Sequence, residues 1–262
     1  MHKRILPSLA FMALGSASAA MAGTNDEGQW VTTFTGGTDV LAHGTLQEHA
    51  DGSSTSLGNL DPAHASDPAT TELRSLSMHD AFRLGPSFGW ELGYRADASL
   101  EPFMKIEYSQ LLGRNERIGE LDSPALSAPT GINSRFDDLH SWALNLGSRY
   151  FWNDAGLVRP YVAGFMGAER TQAMRAHLSV NGMADLGATE LLPQQTRFDA
   201  GLEGGVNFQL ASNADLRLSV GANYVDARKT TTEAFAPLGV DAVQMTEQRW
   251  SVPIDLGVNY RF

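Results

Sequence analysis

The chain contains no cysteine, and this absence limits how the protein can be stabilised. A disulfide framework is excluded, and so is anchoring through a lipid-modified cysteine. Basic residues are also scarce, because 19 Lys and Arg stand against 30 Asp and Glu and the net charge is -11. Such an acidic chain is a poor match for the phosphate backbone of nucleic acids. We therefore expect no nucleic-acid partner, and we expect stability to come from backbone hydrogen bonds and packing.

Long hydrophobic runs are missing as well. No apolar stretch approaches the roughly 20 residues that a membrane-spanning helix needs. The nearest candidate, residues 5–14, follows Lys3 and Arg4 and precedes small residues at the A-x-A spacing, Ala20-Met21-Ala22. This arrangement is typical of a secretory signal peptide. We predict that residues 1–22 are removed on export and that residues 23–262 form the mature domain.

Sustained helical periodicity is absent too, whereas alternation of apolar and polar residues recurs along the chain. It is clearest at residues 250–262, where every second side chain is apolar up to the terminal Phe262. Similar alternation predicts seven further strands, at residues 30–38, 82–95, 101–109, 141–150, 159–170, 198–210 and 216–224. Most of these segments are longer than the strands of soluble proteins and match a tilted strand that crosses a membrane.

The connections between these strands alternate in length. Short turns are predicted at residues 96–99, 153–157 and 212–215, and long loops at residues 39–77, 114–135, 173–195 and 231–246. Because backbone groups in hydrocarbon must bond within the protein, the sheet has to close on itself. The sequence thus predicts an all-β fold, an eight-stranded antiparallel up-and-down transmembrane β-barrel with four long extracellular loops and three short periplasmic turns. Residues 53–56, Pro62 and Pro68 indicate an irregular first loop.

Charged residues on the polar face of the strands must share a narrow interior. Eight strands leave room for little besides side chains, so inward charges have to be paired. We predict that Glu91, Glu107 and Glu203 pair with Arg83, Arg149 and Arg217 in combinations that alternation alone does not specify. The predicted lumen charge network is Arg83, Glu91, Glu107, Arg149, Glu203, Arg217 and Asp255. A gated ion path is the alternative to simple charge neutralisation.

Aromatic residues gather near the predicted strand ends, which is typical of interfacial girdles. The short-turn side is expected to hold Tyr94, Tyr150, Trp152, Tyr161, Phe208, Tyr260 and Phe262. The long-loop side is expected to hold Tyr108, Trp142, Tyr224 and Trp250. Trp90 is also assigned to the membrane interface.

Two segments resemble known outer-membrane barrels. The ending DLGVNYRF is similar to the C-terminal signature that these barrels present to their insertion machinery, with Tyr260 and Phe262 as its aromatic residues. The segment RLGPSFGWELGYR, residues 83–95, resembles the second strand of small barrels related to the OmpA transmembrane domain, OmpX and the opacity-type surface antigens. The resemblance covers nearly all of residues 28–262. It implies a bacterial outer-membrane location, with outer-membrane lipid, lipopolysaccharide and the barrel-insertion machinery as partners.

This resemblance does not select a function, because such barrels include adhesins, serum-resistance factors, structural anchors and minor channels. The first hypothesis is a monomeric, surface-exposed binding or structural protein whose loops meet an extracellular ligand or host surface. A narrow channel for small solutes is the alternative. A lipid A or phospholipid acyl hydrolase is the third hypothesis.

Histidines are the residues that would support catalysis or metal binding, and the sequence argues against both. His140 and Ser141 are adjacent in a strand, so their side chains should face opposite sides and could not form a nucleophile and base. His79-Asp80 is a polar pair of the kind found at loop boundaries. His43, His49 and His64 lie in the acidic first loop without a metal-ligand spacing. We therefore expect a protein that is not an enzyme and has no cofactor; an Asn181-Gly182 turn should cap a hairpin in the third loop.

Overall fold

The computed structural model describes residues 28–54, 57, 60, 66–152 and 156–262, so the predicted signal peptide lies outside the described residues. Eight long strands form one closed sheet: β1 (Gln29–His43), β2 (Pro86–Arg95), β3 (Leu100–Gly113), β4 (Leu139–Phe151), β5 (Val158–Thr171), β6 (Gln195–Ala211), β7 (Ala214–Val225) and β8 (Arg249–Arg261). Each strand pairs antiparallel with the next, and β8 pairs with β1. The predicted eight-stranded antiparallel barrel is confirmed.

Side chains of the barrel alternate between two environments, as the sequence pattern predicts. Outward residues are apolar and exposed; Leu202 and Leu146, for example, expose 70% and 62% of their surface. Inward residues are polar or charged and buried, among them Arg149 and Arg217. An apolar belt around a closed barrel is the surface that membrane hydrocarbon covers. Within the described residues, no helix is long and apolar enough to cross a membrane.

The start of β2 differs from the prediction. Phe82 and Arg83 form a separate short strand, Phe82–Arg83, which pairs with the end of β3, whereas the ladder between β1 and β2 begins at Pro86. Leu84 and Gly85 lie between these two strands and belong to neither. Because the chain leaves the barrel wall here, Arg83 is exposed and does not enter the lumen.

The four long loops contain regular secondary structure; of the positions on which irregularity of the first loop was predicted, residues 55, 56 and 62 lie outside the described residues. Strands from the first three loops form a six-stranded antiparallel sheet, in the order Ala184–Leu192, Met174–Val180, Thr130–Phe136, Asn115–Asp122, Ala69–Leu73 and Ala50–Ser54. The first and fourth loops share a second sheet, in the order Lys229–Thr232, Val243–Thr246, Thr45–Gln47 and Leu76–Ser77. The first loop also contains helix α1 (Met78–Ala81), and the fourth loop contains a 3-10 turn (Ala236–Leu238).

These loop elements, here called the cap (residues 44–85, 114–138, 172–194 and 226–248), have a hydrophobic core of their own. Its fully buried members include Leu73, Ile118, Leu121, Ile132, Phe235 and Met245. Leu41, Leu111 and Leu139 from the barrel strands join the same cluster, so the cap packs on the barrel rim. Burying a large aliphatic or aromatic side chain contributes about 1.5–3 kcal/mol, and the cap buries many. It is therefore a folded layer at the loop end of the barrel.

The third loop contains the hairpin that the sequence predicts. Met174–Val180 pairs with Ala184–Leu192, and Asn181 and Gly182 lie in the turn between them. Gly182 has φ +70°, a conformation that side chains with a Cβ rarely adopt.

Candidate functional site

The middle of the lumen is crossed by a chain of ion pairs. Glu91 of β2 accepts two hydrogen bonds from Arg149 of β4, at 2.9 and 3.0 Å. It also accepts from Arg217 of β7, at 3.1 and 3.2 Å. Arg149 also binds Glu101, which forms a 2.9 Å ion pair with Arg95. Because these strands lie on different sides of the barrel, their side chains join across its interior.

Aromatic rings line this same level. The guanidinium carbon of Arg149 lies 4.8 Å from the ring centres of both Phe103 and Tyr161. The Tyr161 hydroxyl donates to Glu203. Rings and paired charges together fill the cross-section of the barrel.

Two further charged layers lie toward the ends of the lumen. At the turn end, Asp215 binds Arg159 and lies 3.0 Å from Arg261. At the loop end, Arg197 donates to Glu247 at 2.8 Å and to Glu169 at 3.2 Å. Arg249 binds Glu169 in the same loop-end layer.

A small polar cavity lies between the middle and loop-end layers. Its volume is about 20 Å³, which is room for about one water molecule. Lys105 binds Glu107 at its wall, and Asn145 donates to Asp199 at 2.8 Å. Buried, paired side chains thus fill the lumen around this cavity.

Six of the seven residues predicted for the lumen charge network lie in the lumen, but they do not all contact one another. Glu91, Arg149 and Arg217 lie together; Glu107 binds Lys105, and Glu203 accepts from Tyr161. Asp255 is buried in the lumen. Arg83 is the exception, because it lies above the barrel wall and is exposed.

Sequence reasoning omitted other charged residues from this network. They are Asp39, Arg95, Glu101, Lys105, Arg159, Glu169, Arg197, Asp199, Asp215, Glu247, Arg249 and Arg261. Alternation could have identified most of them. Glu101 and Lys105, for example, occupy odd-numbered positions of β3 like Glu107, so all three face the same side of the strand. Glu247 precedes β8 and is brought to the lumen by the cap, so no strand pattern marks it.

Aromatic pairs mark both ends of the outer belt. Near the turn end, Trp30 packs tilted against Tyr94 and Tyr150 packs edge-to-face with Trp152, at centroid distances of 5.2 and 6.2 Å. Near the loop end the pairs are Tyr108 with Trp142 at 5.1 Å and Tyr224 with Trp250 at 4.9 Å. Exposed Tyr260 and Phe262, the expected insertion signal, lie at the turn end of β8.

Two aromatic residues differ from their predicted positions. Trp90 lies in the middle of β2, between Phe34 of β1 and Ile106 of β3, so it is not at a strand end. Tyr161 is 1% exposed and faces the lumen. The outward positions of β5 are the even-numbered ones, such as Val162 and Met166, so Tyr161 is not part of the girdle.

Residues considered for hydrolysis are held apart. The His140 ring binds the Tyr108 hydroxyl through Nδ1 at 2.7 Å on the outer side, whereas the buried Ser141 hydroxyl is 2.8 Å from that of Ser109. Asp80 belongs to a capping box at the start of α1, where the Ser77 hydroxyl lowers the pKa of its carboxyl group. Each of these side chains has a local structural partner.

The histidines of the first loop also lie apart. His49 is 3.2 Å from Asp51, His43 is exposed, and His64 lies outside the described residues. Across the part of the chain that the structure describes, no three His, Asp or Glu side chains come together as a metal site would require.

The barrel is similar to solved structures of bacterial outer-membrane proteins. Neisserial surface protein A aligns at 17% identity over 90% of this chain and 98% of its own, with a TM-score of 0.40. OprG from Pseudomonas aeruginosa aligns at 14% identity, with coverages of 90% and 96% and a TM-score of 0.45. Ail from Yersinia pestis, solved with the heparin analogue sucrose octasulfate, gives 14% identity, coverages of 90% and 99% and a TM-score of 0.37.

No protein-family model and no curated protein matches the sequence. At such low identities the likeness concerns the barrel fold. The closed ring of eight antiparallel strands agrees with the fold that the sequence predicted. The chain folds as a closed, eight-stranded antiparallel β-barrel with an exposed apolar belt.

Proposed function

We propose that this protein is a surface-exposed binding protein, with the barrel as its membrane anchor and the cap as its binding part. The observation that carries the proposal is the cap itself, in which four loops share two sheets and one hydrophobic core. A protein that served only as an anchor would need no such layer. Loops on a rigid barrel are where binding residues are commonly placed.

The lumen geometry favours binding over the channel alternative. Three layers of buried ion pairs cross the lumen and would obstruct the passage of a solute. Moving an ion through would require breaking buried ion pairs, and losing one partner of such a pair costs about 3–5 kcal/mol.

The test compares the full-length protein with a chimera in which residues 44–85, 114–138, 172–194 and 226–248 are replaced by short turns. Both are displayed on the outer membrane of a host bacterium and exposed to matrix proteins, serum proteins and sulfated polysaccharides. Heat-dependent migration on gels checks that both barrels are folded. Selective capture of a ligand by the capped form supports the proposal, whereas equal capture by both forms contradicts it.

A further inference from the structure

The small polar cavity between the middle and loop-end layers is lined by more negative than positive side chains. Two cations reach it, Lys105 and Arg249. Lys105 binds Glu107 and Arg249 binds Glu169, and the same two cations also attract Asp39. Three carboxylates of the lining form no ion pair with another described residue: Asp39, Asp199 and Glu203.

The excess of negative charge holds for the whole lumen. Among the described residues, ten carboxylates and eight Lys or Arg side chains face the interior. In the middle and turn-end layers three carboxylates meet five arginines, so the excess lies entirely around the cavity and the loop-end layer. Burying charge without compensation is costly, and the lumen therefore requires additional positive charge at this level.

Three oxygen atoms of the cavity lining have no hydrogen-bond partner. They are the Oδ1 atoms of Asn145, Asp199 and Asn223. Asn145 and Asp199 are only 3% and 0% exposed, so solvent does not satisfy them. The Asn145 amide nitrogen donates to the other Asp199 oxygen at 2.8 Å, and Asn223 adjoins the same carboxylate. Acceptor oxygens are thus left over on all three side chains.

The register of the strands brings these side chains together. Asn145 of β4 and Asp199 of β6 flank Gly167 of β5 in one row of paired residues. Asn223 of β7 pairs with Gly201, two residues beyond Asp199 on β6. Gly167 keeps the row open, because a Cβ there would clash with the Asn145 carbonyl oxygen. Oxygens from three strands therefore border a space the size of about one water molecule.

A water molecule alone does not meet the needs of this cavity. It has two hydrogens for three acceptor oxygens, and as a neutral molecule it leaves the excess of carboxylates unchanged. A calcium ion supplies two positive charges and takes carboxylate and amide carbonyl oxygens as ligands at about 2.3–2.6 Å. Magnesium keeps several water molecules in a strict octahedral shell, for which this space has no room.

We propose that the cavity binds one calcium ion, with the Oδ1 atoms of Asn145, Asp199 and Asn223 as ligands. The surrounding carboxylates provide the negative potential that retains the ion. This set differs from a cluster of three carboxylates, because two of its three oxygens belong to amides. The bound ion ties β4, β6 and β7 together beneath the cap, and it stabilises the barrel independently of any ligand that the cap binds.

The test uses the full-length protein in detergent. Equilibrium dialysis measures the calcium bound per chain, and heat-dependent gel migration measures the unfolding midpoint in calcium, magnesium, sodium or a chelator. We expect about one calcium ion per chain and a midpoint that calcium raises more than the other two cations do. The reason is that a ligand that binds only the folded state stabilises that state.

Three variants locate the ion. Asp199→Asn keeps the shape of the side chain and removes one charge, so we expect calcium binding to weaken at least about tenfold. Its midpoint in chelator should not fall, because the excess of carboxylates is smaller; a merely structural role of Asp199 would lower the midpoint in both conditions. Asn223→Ala should weaken calcium binding without a change of charge. The matched control is Glu72→Gln on the exposed surface of the cap, which should leave calcium binding unchanged.

Equal midpoints in calcium and in chelator would overturn the proposal and leave bound protons as the balancing charge. Equal calcium binding by Asp199→Asn and the unmodified protein would also overturn it, because the ion would then lie elsewhere, such as on the acidic cap. An equal effect of magnesium or sodium would show that the cavity is not a calcium site. If Asp199→Asn fails to fold, Asn223→Ala carries the test.

Discussion

Arg149 is the side chain on which the centre of the lumen depends. It is fully buried and binds both Glu91 and Glu101. A buried ion pair adds little net stability when intact, because both charges have lost their water. Removing one partner is costly, since the other charge stays buried.

We expect Arg149→Met to lower the free energy of unfolding by about 3–5 kcal/mol, because it leaves Glu91 and Glu101 with less compensation. Urea unfolding in detergent micelles measures the change. The control is Arg228→Met on the exposed cap surface, where we expect a change within about 0.5 kcal/mol. The double variant Glu91→Gln/Arg149→Met should recover part of the loss. Equal stability of the Arg149 and Arg228 variants would contradict this account.

A pair of neighbouring glycines tests how tightly the barrel is packed. A Cβ at Gly147 would lie 2.5 Å from the Phe103 ring and 2.6 Å from the Gly164 carbonyl oxygen. A Cβ at Gly164 would meet only Leu202, at 3.5 Å. We expect Gly147→Ala to destabilise the barrel by about 1–3 kcal/mol and Gly164→Ala to have a smaller effect. Thermal unfolding followed by gel migration measures both, and the reverse order would show that the wall near Phe103 yields easily.

Residue by residue, alternation predicted which side chains face inward but not which ones meet. Glu91, Arg149 and Arg217 were placed on the polar face from sequence, and the structure joins them. Alternation with a period of two shows which side of the strand a side chain faces. It does not show the position of that side chain along the barrel axis, which depends on the stagger between strands. Arg83 has the right parity but lies beyond the point where β2 joins the wall, so the pattern alone misplaced it.

At the scale of elements, the cap is a unit with an inside and an outside. In the strand Asn115–Asp122, Leu121 is fully buried in the cap core and its neighbour Glu120 is exposed. The two positions therefore offer a matched pair of substitutions. One removes core packing, and the other removes a surface charge together with its exposed ion pair to Arg117.

We expect Leu121→Ala to destabilise the cap by about 2–5 kcal/mol and Glu120→Ala to have little effect. Digestion of intact cells by added protease should then cut the cap of the Leu121 variant faster. The barrel of both variants should keep its heat-dependent migration, because the strands of the wall are unchanged. Equal digestion of the two variants would show that the cap does not depend on its core.

Most strands of the cap could not be predicted from the sequence. Long strands such as β8 could be predicted from sequence, because the alternation of apolar and polar residues lies within one continuous segment. The described cap strands are two to nine residues long, and six of them also pair with a strand from another loop. The hairpin at Asn181-Gly182 was predicted because a two-residue turn signal marks it, whereas the hairpin of the second loop, with seven residues between its strands, carries no such signal. Pairing between loops depends on where the closed barrel brings their ends together, which no single segment encodes.

Two features of the whole molecule would obstruct passage through the barrel. Charged side chains fill its lumen, and the cap covers its loop end. We expect the purified protein to give no stepwise conductance in planar bilayers, since the charged layers fill the interior. The chimera without the cap should also be silent, because it loses Glu247 of the loop-end layer but keeps the middle and turn-end layers. Conductance from the chimera alone would show that the cap is the barrier, and conductance from the full-length protein would revive the channel alternative.

The shared sheets of the cap have an evolutionary consequence. Strands from the second loop are bordered by strands of the first and third loops, so a change in one loop must keep its edge compatible with two others. Exchange of a single loop would break this framework. Tolerated sequence variation should therefore concentrate where the chain reverses between paired strands, at residues 123–129 and 181–183.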